Sequence, residues 1–287
     1  MDPVTAALVL ASAALHPLWF ALVKRDPDPD AAFVGLNTGL ALIALAHALV
    51  RGVALGSALG AWPLLLVSVC GQITYGLAIV LVLKRGDLSA YYPIIRASPL
   101  AIVAVSFVVL GERYRPVLLA GIALVLAGTF ALQYRRGARL LAEPLNFGLA
   151  VLALLASAVY ALADARLVRR IDPTAVLFWV QTITVPVFAA VYRRGRPTWR
   201  LGLPLRAWAA TPLYYVALGA LAYTSYYLIL VAYGRGANVA AVNAVRQAAI
   251  PISVLIGGVW LDEGAMWRRL GAALTIAAGV AVVVLWR

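Results

Sequence analysis

The chain has 287 residues, of which 64% are hydrophobic and 12% charged, against roughly 25% charged residues in an ordinary soluble domain; that balance excludes a soluble fold and places the chain in a membrane. In such a chain the net charge of +13, from 24 Lys and Arg against 11 Asp and Glu, serves orientation and contact with anionic headgroups rather than nucleic-acid binding. One cysteine, Cys70, and two histidines, His16 and His47, exclude an intramolecular disulfide and a His/Cys metal cluster.

Crossing the hydrocarbon takes roughly 20 apolar residues, and in chain order the sequence predicts ten such helices. Helix 1 covers 4–23; it lacks the positive start of a signal peptide, and His16, Pro17 and Trp19 interrupt it. KRDPDPD ends it, helix 2 follows over 32–50, and a Gly-rich turn leads to helix 3 over 62–83. Helix 4 covers 88–110, and helix 5 covers 116–134, opening on Pro116, whose missing N–H costs nothing in a first turn. The linker YRRGARLLAEP separates the halves. Helices 6 and 7 cover 146–167 and 174–192, an arginine-rich loop suited to the headgroup level follows, and helices 8, 9 and 10 cover 208–233, 239–261 and 266–286. The alternating pattern of a membrane β-barrel is absent, so the expected fold is all-α.

The halves repeat. DLSAYYPIIRASPLAIVAVSFVVLGER begins at Asp87 and ANVAAVNAVRQAAIPISVLIGGVWLDEG at Ala237, which sets Arg96 and Arg246 150 positions apart. Each run carries its arginine early, then a proline (Pro99, Pro251), then a closing glutamate (Glu112, Glu263). The register extends to Tyr75 with Tyr226 and to Gly121 with Gly271. Five helices is an odd number, so the second copy enters from the opposite membrane face. The expected units are 1–137 and 142–287, two inverted repeats around a central cavity, which is how many secondary transporters are built.

Leu110-Gly111-Glu112 and Leu261-Asp262-Glu263, HPLW at His16 to Trp19 followed by Lys24, and YPIIRASP at Tyr92 to Pro99 resemble the EamA-type branch of the drug/metabolite transporter superfamily. The resemblance covers essentially the whole chain and implies a ten-helix transporter of small metabolites; members handle amino acids, sugars, nucleotide sugars and drugs. It implies export or uptake, so the expectation is a secondary active transporter, with export the favoured direction, in a bacterial inner (cytoplasmic) membrane, without cofactor, metal or catalytic residues, working as a monomer or weak homodimer on a small-molecule substrate. The alternative is a membrane-embedded enzyme or flippase acting on lipid-linked substrates. Loops on the side away from the termini hold more Lys and Arg, which places the termini outside, whereas the resemblance places them in the cytoplasm.

Several residues carry functional expectations. Arg96 and Arg246 lie eight residues into their helices, about 12 Å at 1.5 Å per residue. From opposite faces they flank the midplane as a forked donor site for the anionic group of an amino-acid-like, anionic or zwitterionic substrate, with Tyr75, Tyr92 and Tyr226 lining the rest; the alternative is snorkelling or pairing with Asp164. His16 and Asp164 are ionisable groups deep in corresponding helices, suited either to proton coupling or to packing. Pro99 and Pro251 loosen the helices beside the site. Glu112 and Glu263 sit at helix C-termini, where the dipole disfavours them, so they are caps compensated by neighbouring arginines or gating groups. Gly121 with Gly128, and Gly271 with Gly279, read as close helix packing.

Overall fold

The computed structural model describes residues 1–85, 91, 94–133, 143–195, 211–250 and 266–285. Among them the regular elements are all helical: α1 (Pro3–Arg25), α2 (Pro29–Val50), a 3₁₀ segment (Leu55–Ala61), α3 (Trp62–Arg85), α4 (Ser98–Leu110), α5 (Pro116–Gln133), α6 (Pro144–Leu167), α7 (Pro173–Gly195), α8 (Pro212–Gly234), α9 (Val239–Arg246) and α10 (Met266–Leu285). Helices α2, α3, α6, α7 and α8 are each long and apolar enough to cross a bilayer, and Pro3–Trp19, Ser98–Leu110, Pro116–Leu132 and Leu270–Leu285 are shorter apolar helices. The all-α membrane class expected from composition is what the structure shows. The ten-span count remains an expectation, because the stretches between the described ranges lie outside this description. Outward faces are apolar: Val50, Val108 and Leu213 are 86%, 78% and 84% exposed, which suits a lipid surround.

Local chemistry sets the boundaries. Proline opens six of these helices, at Pro3, Pro29, Pro116, Pro144, Pro173 and Pro212, where its fixed φ is already helical. The Asp2 carboxylate accepts from Thr5 N at 3.0 Å and Asp28 from Ala31 N at 3.2 Å, satisfying donors that the first turn leaves unpaired. Helix α4 stops at Gly111, whose φ of 66° is left-handed, and Glu112 N closes the end on Ser106 O at 3.2 Å. The Gly-rich stretch expected as a plain turn is instead a 3₁₀ segment, held by Ser57 N to Ala54 O at 3.0 Å and by Trp179 Nε1 to Leu55 O at 2.9 Å.

The expected continuous helix 4 is interrupted at Ala97. There Ala97 N bonds back three residues to Ile94 O at 3.1 Å, and α4 restarts at Ser98. Pro99, which has no N–H, sits in the first turn of that new segment, where it needs none. Expected helix 9 stops being α-helical at the matching place. Gln247 N bonds Ala244 O at 3.0 Å, Ala248 N bonds Val245 O at 2.9 Å, and Ile250 N bonds Gln247 O at 2.9 Å. That last carbonyl is the one a donor at position 251 serves in an unbroken helix, and proline 251 has no donor to give. Pro251 itself, like Glu263, lies outside the described residues.

Packing pairs are reciprocal when each helix of the first five is exchanged with its counterpart five places on. Contacts α3–α6 and α8–α1 correspond, as do α2–α8 with α7–α3 and α4–α6 with α9–α1, while α2–α7, α4–α9 and α5–α10 map onto themselves. The α5–α10 seam is close because of glycine. A Cβ on Gly121 comes within 2.8 Å of Val283, one on Gly128 within 2.7 Å of Ile276, and one on Gly279 within 2.6 Å of the Val125 nitrogen. Gly271, expected in the same seam, has nothing within 4 Å: its spacing matched, but its face points away from the contact.

Candidate functional site

The two repeat-related arginines stand at the two breaks. Arg96 is the last helical residue before Ala97, and Arg246 is the last residue of α9. The breaks touch: Gln247 Nε2 donates to the backbone carbonyl of Arg96 at 3.0 Å. Since an amide can only donate from its nitrogen, this bond fixes which way the Gln247 side chain faces. Its Oε1 is then buried with no hydrogen-bond partner, on a residue only 3% exposed. An orphaned acceptor of this kind costs about 1–3 kcal/mol.

Both guanidiniums act electrostatically on the imidazole of His16, on α1, which also meets Trp19 edge-on at a centroid distance of 4.8 Å. No hydrogen bond or ion pair joins the half-buried Arg246 guanidinium to another described residue. An arginine near a bilayer centre costs on the order of 2.5–3.5 kcal/mol on insertion scales. Its position at the carbonyl end of α9 offsets roughly 0.3–1 kcal/mol of that.

Asp164, on α6, forms a second centre and is fully buried at 0% exposure. Ser68 Oγ from α3 donates to its Oδ1 at 2.5 Å, and the Tyr226 hydroxyl from α8 donates to its Oδ2. Gln72 Nε2, one turn beyond Ser68, donates to the Tyr226 oxygen at 3.3 Å. The carboxylate oxygens are thus taken by hydroxyls and not by either arginine. Tyr160 and Tyr233 are each within the field of both Asp164 and Arg246. Tyr75 packs edge-on against Tyr160 at 5.7 Å, and Asn243 Nδ2 donates to the Tyr233 hydroxyl at 2.8 Å.

The sequence expectations therefore land unevenly. Arg96, Arg246 and His16 come together; Asp164, Tyr226 and Tyr75 form the neighbouring cluster; Tyr92 lies outside the described residues. His16 and Asp164, matched by repeat position, have dissimilar surroundings. Glu112 lies past the left-handed Gly111 rather than in the last helical turn, and accepts from the Tyr114 hydroxyl at 3.0 Å, which also meets Ser106 Oγ. Sequence reasoning passed over Ser68, Gln72, Asn243 and Gln247. The signal was present: both pairs put polar side chains four apart, hence on one face, in apolar runs.

A further polar cluster ties one end of the bundle. Arg51 pairs with Asp172 at 3.0 Å, His47 Nδ1 meets the Tyr223 hydroxyl at 2.5 Å, and Tyr223 stacks on Tyr227 at 5.5 Å and 18°. Asp172 caps α7 by accepting from Thr174 N at 2.8 Å. Partial burial works to raise its carboxyl, but the Thr174 bonds and the Arg51 guanidinium outweigh it and hold the group below the usual carboxylate range.

Comparison with known proteins agrees with this architecture. One solved structure, described only as the crystal structure of a protein, superposes with a TM-score of 0.78 at 23% identity, covering 98% of this chain and 96% of its own. No curated protein is a significant match. Residues 4–134 match the EamA-like transporter family, whose members are membrane transporters and not enzymes. That match lies in the first part of this multi-pass membrane protein, and the structural likeness, running nearly end to end, shows that the fold is shared over the rest of the chain.

Proposed function

We propose that the chain is a secondary active exporter of a small anionic or zwitterionic metabolite, amino-acid-like in charge pattern, in a bacterial inner membrane. The observation that carries this reading is the meeting of Arg96 and Arg246 at two matched helix breaks, with His16 in the field of both. Interrupted helices at a repeat interface are where transporters of this construction hold substrate. Two guanidiniums brought to one junction suit an anionic group, which they bind as a fork of N–H donors. The reciprocal packing pairs support two inverted five-helix units, 1–137 and 142–287, exchanging places to open alternately to either side.

The test is equilibrium binding of a panel of L-amino acids to the purified chain and to its Arg96→Gln and Arg246→Gln variants. At least one amino acid binds the parent, and either substitution weakens it by tenfold or more, about 1.4 kcal/mol. Unchanged affinity in both folded variants makes the arginines structural.

Coupling to protons is the second part of the proposal. Asp164 supports it, being a buried acid whose two oxygens are each met by a hydroxyl from a different helix, so that either protonation state keeps hydrogen bonds. His16 is the alternative carrier. If Asp164→Asn and His16→Ala proteins in sealed vesicles retain both the transport rate and its pH dependence, proton coupling through these residues is wrong.

A further inference from the structure

We infer that Gln247 reads a hydrogen-bond donor on the substrate, next to the anionic group; this rests on the reading of Arg96 and Arg246 as an anion site. The substrate class narrows to small acids that carry an N–H or O–H donor beside the acid, such as α-amino or α-hydroxy carboxylates, and unsubstituted carboxylates are disfavoured.

The argument starts from the amide's two ends. Its nitrogen is committed to the Arg96 carbonyl at 3.0 Å, so its oxygen is the free end by elimination. That oxygen has no partner although the residue is 97% buried, being 3% exposed. Gln247 also follows Arg246 directly, on the turn that ends α9. The junction therefore sets the cationic Arg96 and Arg246 and the imidazole of His16 beside one unspent acceptor. A ligand with an anion alone satisfies the cations and leaves the acceptor orphaned; a ligand with an adjacent donor satisfies both.

The burial of Oε1 makes this more than a contact. In the present state, with the breaks joined by the Gln247–Arg96 bond, the oxygen is buried, so a ligand donor reaches it in a state in which that contact parts. A ligand shifts a conformational equilibrium only by binding one state better than another. An acceptor unsatisfied when the breaks are joined and satisfied by substrate when they part supplies such a difference. The repeat partner of Gln247 is Ala97, which has no polar side chain, so this reading device is present in one half only.

The experiment compares matched acids on the same carbon skeleton: L-leucine, L-2-hydroxy-4-methylpentanoate and 4-methylpentanoate, with the corresponding alanine and phenylalanine series. Binding is measured on the full chain in detergent. Expected is a preference of roughly 5- to 150-fold for donor-bearing acids, the range set by leaving one buried polar group unpaired. In Gln247→Met, similar in length and without donor or acceptor, the preference falls below about threefold, the size of a weak net hydrogen bond. Equal binding with and without the donor in the parent overturns the role of Gln247, whether or not the variant folds, and leaves the arginine site standing; a water held on Oε1 gives that result. A preference that survives in Gln247→Met overturns it too. Failure of every series to bind overturns the arginine site and this inference together.

Discussion

The bonds on Asp164 offer the sharpest energetic test, because the two hydroxyls that reach it are buried differently. Ser68 is 0% exposed, so its hydroxyl has no water to turn to, and Ser68→Ala removes one hydrogen bond and little volume. A hydrogen bond to an ionised group contributes about 1.5–3 kcal/mol, whereas neutral side-chain bonds between membrane helices average about 0.6 kcal/mol. Ser68→Ala should thus cost about 1.5–3 kcal/mol while Asp164 is ionised, and about 0.6 kcal/mol in an Asp164→Asn background, where an amide takes the carboxylate's place. The difference of roughly 1–2 kcal/mol is the charge-assisted part of the bond. Reversible unfolding in mixed detergent, followed by tryptophan fluorescence, measures all four proteins of the cycle. Repeating the cycle at successively lower pH reads out protonation, since the difference disappears when the acid is neutral. A Ser68→Ala cost below about 0.5 kcal/mol in both backgrounds would refute the reasoning, because the carboxylate would then not depend on the bond seen at 2.5 Å.

Gly128→Ala should cost about 1–3 kcal/mol by overpacking, since a Cβ there meets the Ala272 oxygen at 2.8 Å, while Gly271→Ala should be close to neutral with nothing within 4 Å; thermal denaturation of both separates them. Asp172→Ala should destabilise more than Arg51→Ala, because it removes a helix cap of about 0.5–2 kcal/mol as well as a part-exposed ion pair of about 0.2–1 kcal/mol. The Asp172 carboxyl is depressed in the fold, so its contribution is present above its unfolded value of 3.8 and lost as pH falls through the folded one. The stability gap between parent and Asp172→Asn should therefore close in acid and not in base. Pro99→Ala restores a backbone donor and lets the helix run through Ala97; transport in vesicles should slow while thermal stability holds or rises, and an unchanged rate means that the break is dispensable.

Much of the fold was legible because it follows from quantities a sequence carries openly. Apolar run length gave the spans, proline and glycine gave their ends, and repetition at a fixed offset paired Arg96 with Arg246. What the sequence left open was rotation. Gly121, Gly128, Gly271 and Gly279 have the same spacing, yet a helix apolar all round does not say which way each faces, and Gly271 points out of the seam. The same ambiguity hid the site. Asp164 was singled out for its charge, but its partners Ser68 and Tyr226 come from α3 and α8, and nothing local in the sequence pairs those helices with α6. Helix 4 looks continuous in sequence because a proline inside an apolar run is compatible both with a loosened helix and with the first turn of a new segment.

The departure from symmetry at the breaks has a consequence for the transport cycle. If two inverted halves interconvert by exchanging roles, the exchanged state sets Ala97 against the carbonyl of Arg246, and the methyl group of alanine cannot reproduce the bond that Gln247 makes to Arg96. The two states are then unequal in energy by about the net worth of one hydrogen bond, 0.5–1.5 kcal/mol, which is a bias of about 2- to 12-fold. The orphaned Gln247 oxygen works against that bias, since its cost falls on the joined state alone. Both effects are of the size that one added contact to a substrate can reverse. On the proposed exchange, a single amide at the second break, absent from the first, therefore makes the two states of a near-symmetric bundle unequal by an amount that substrate binding can change.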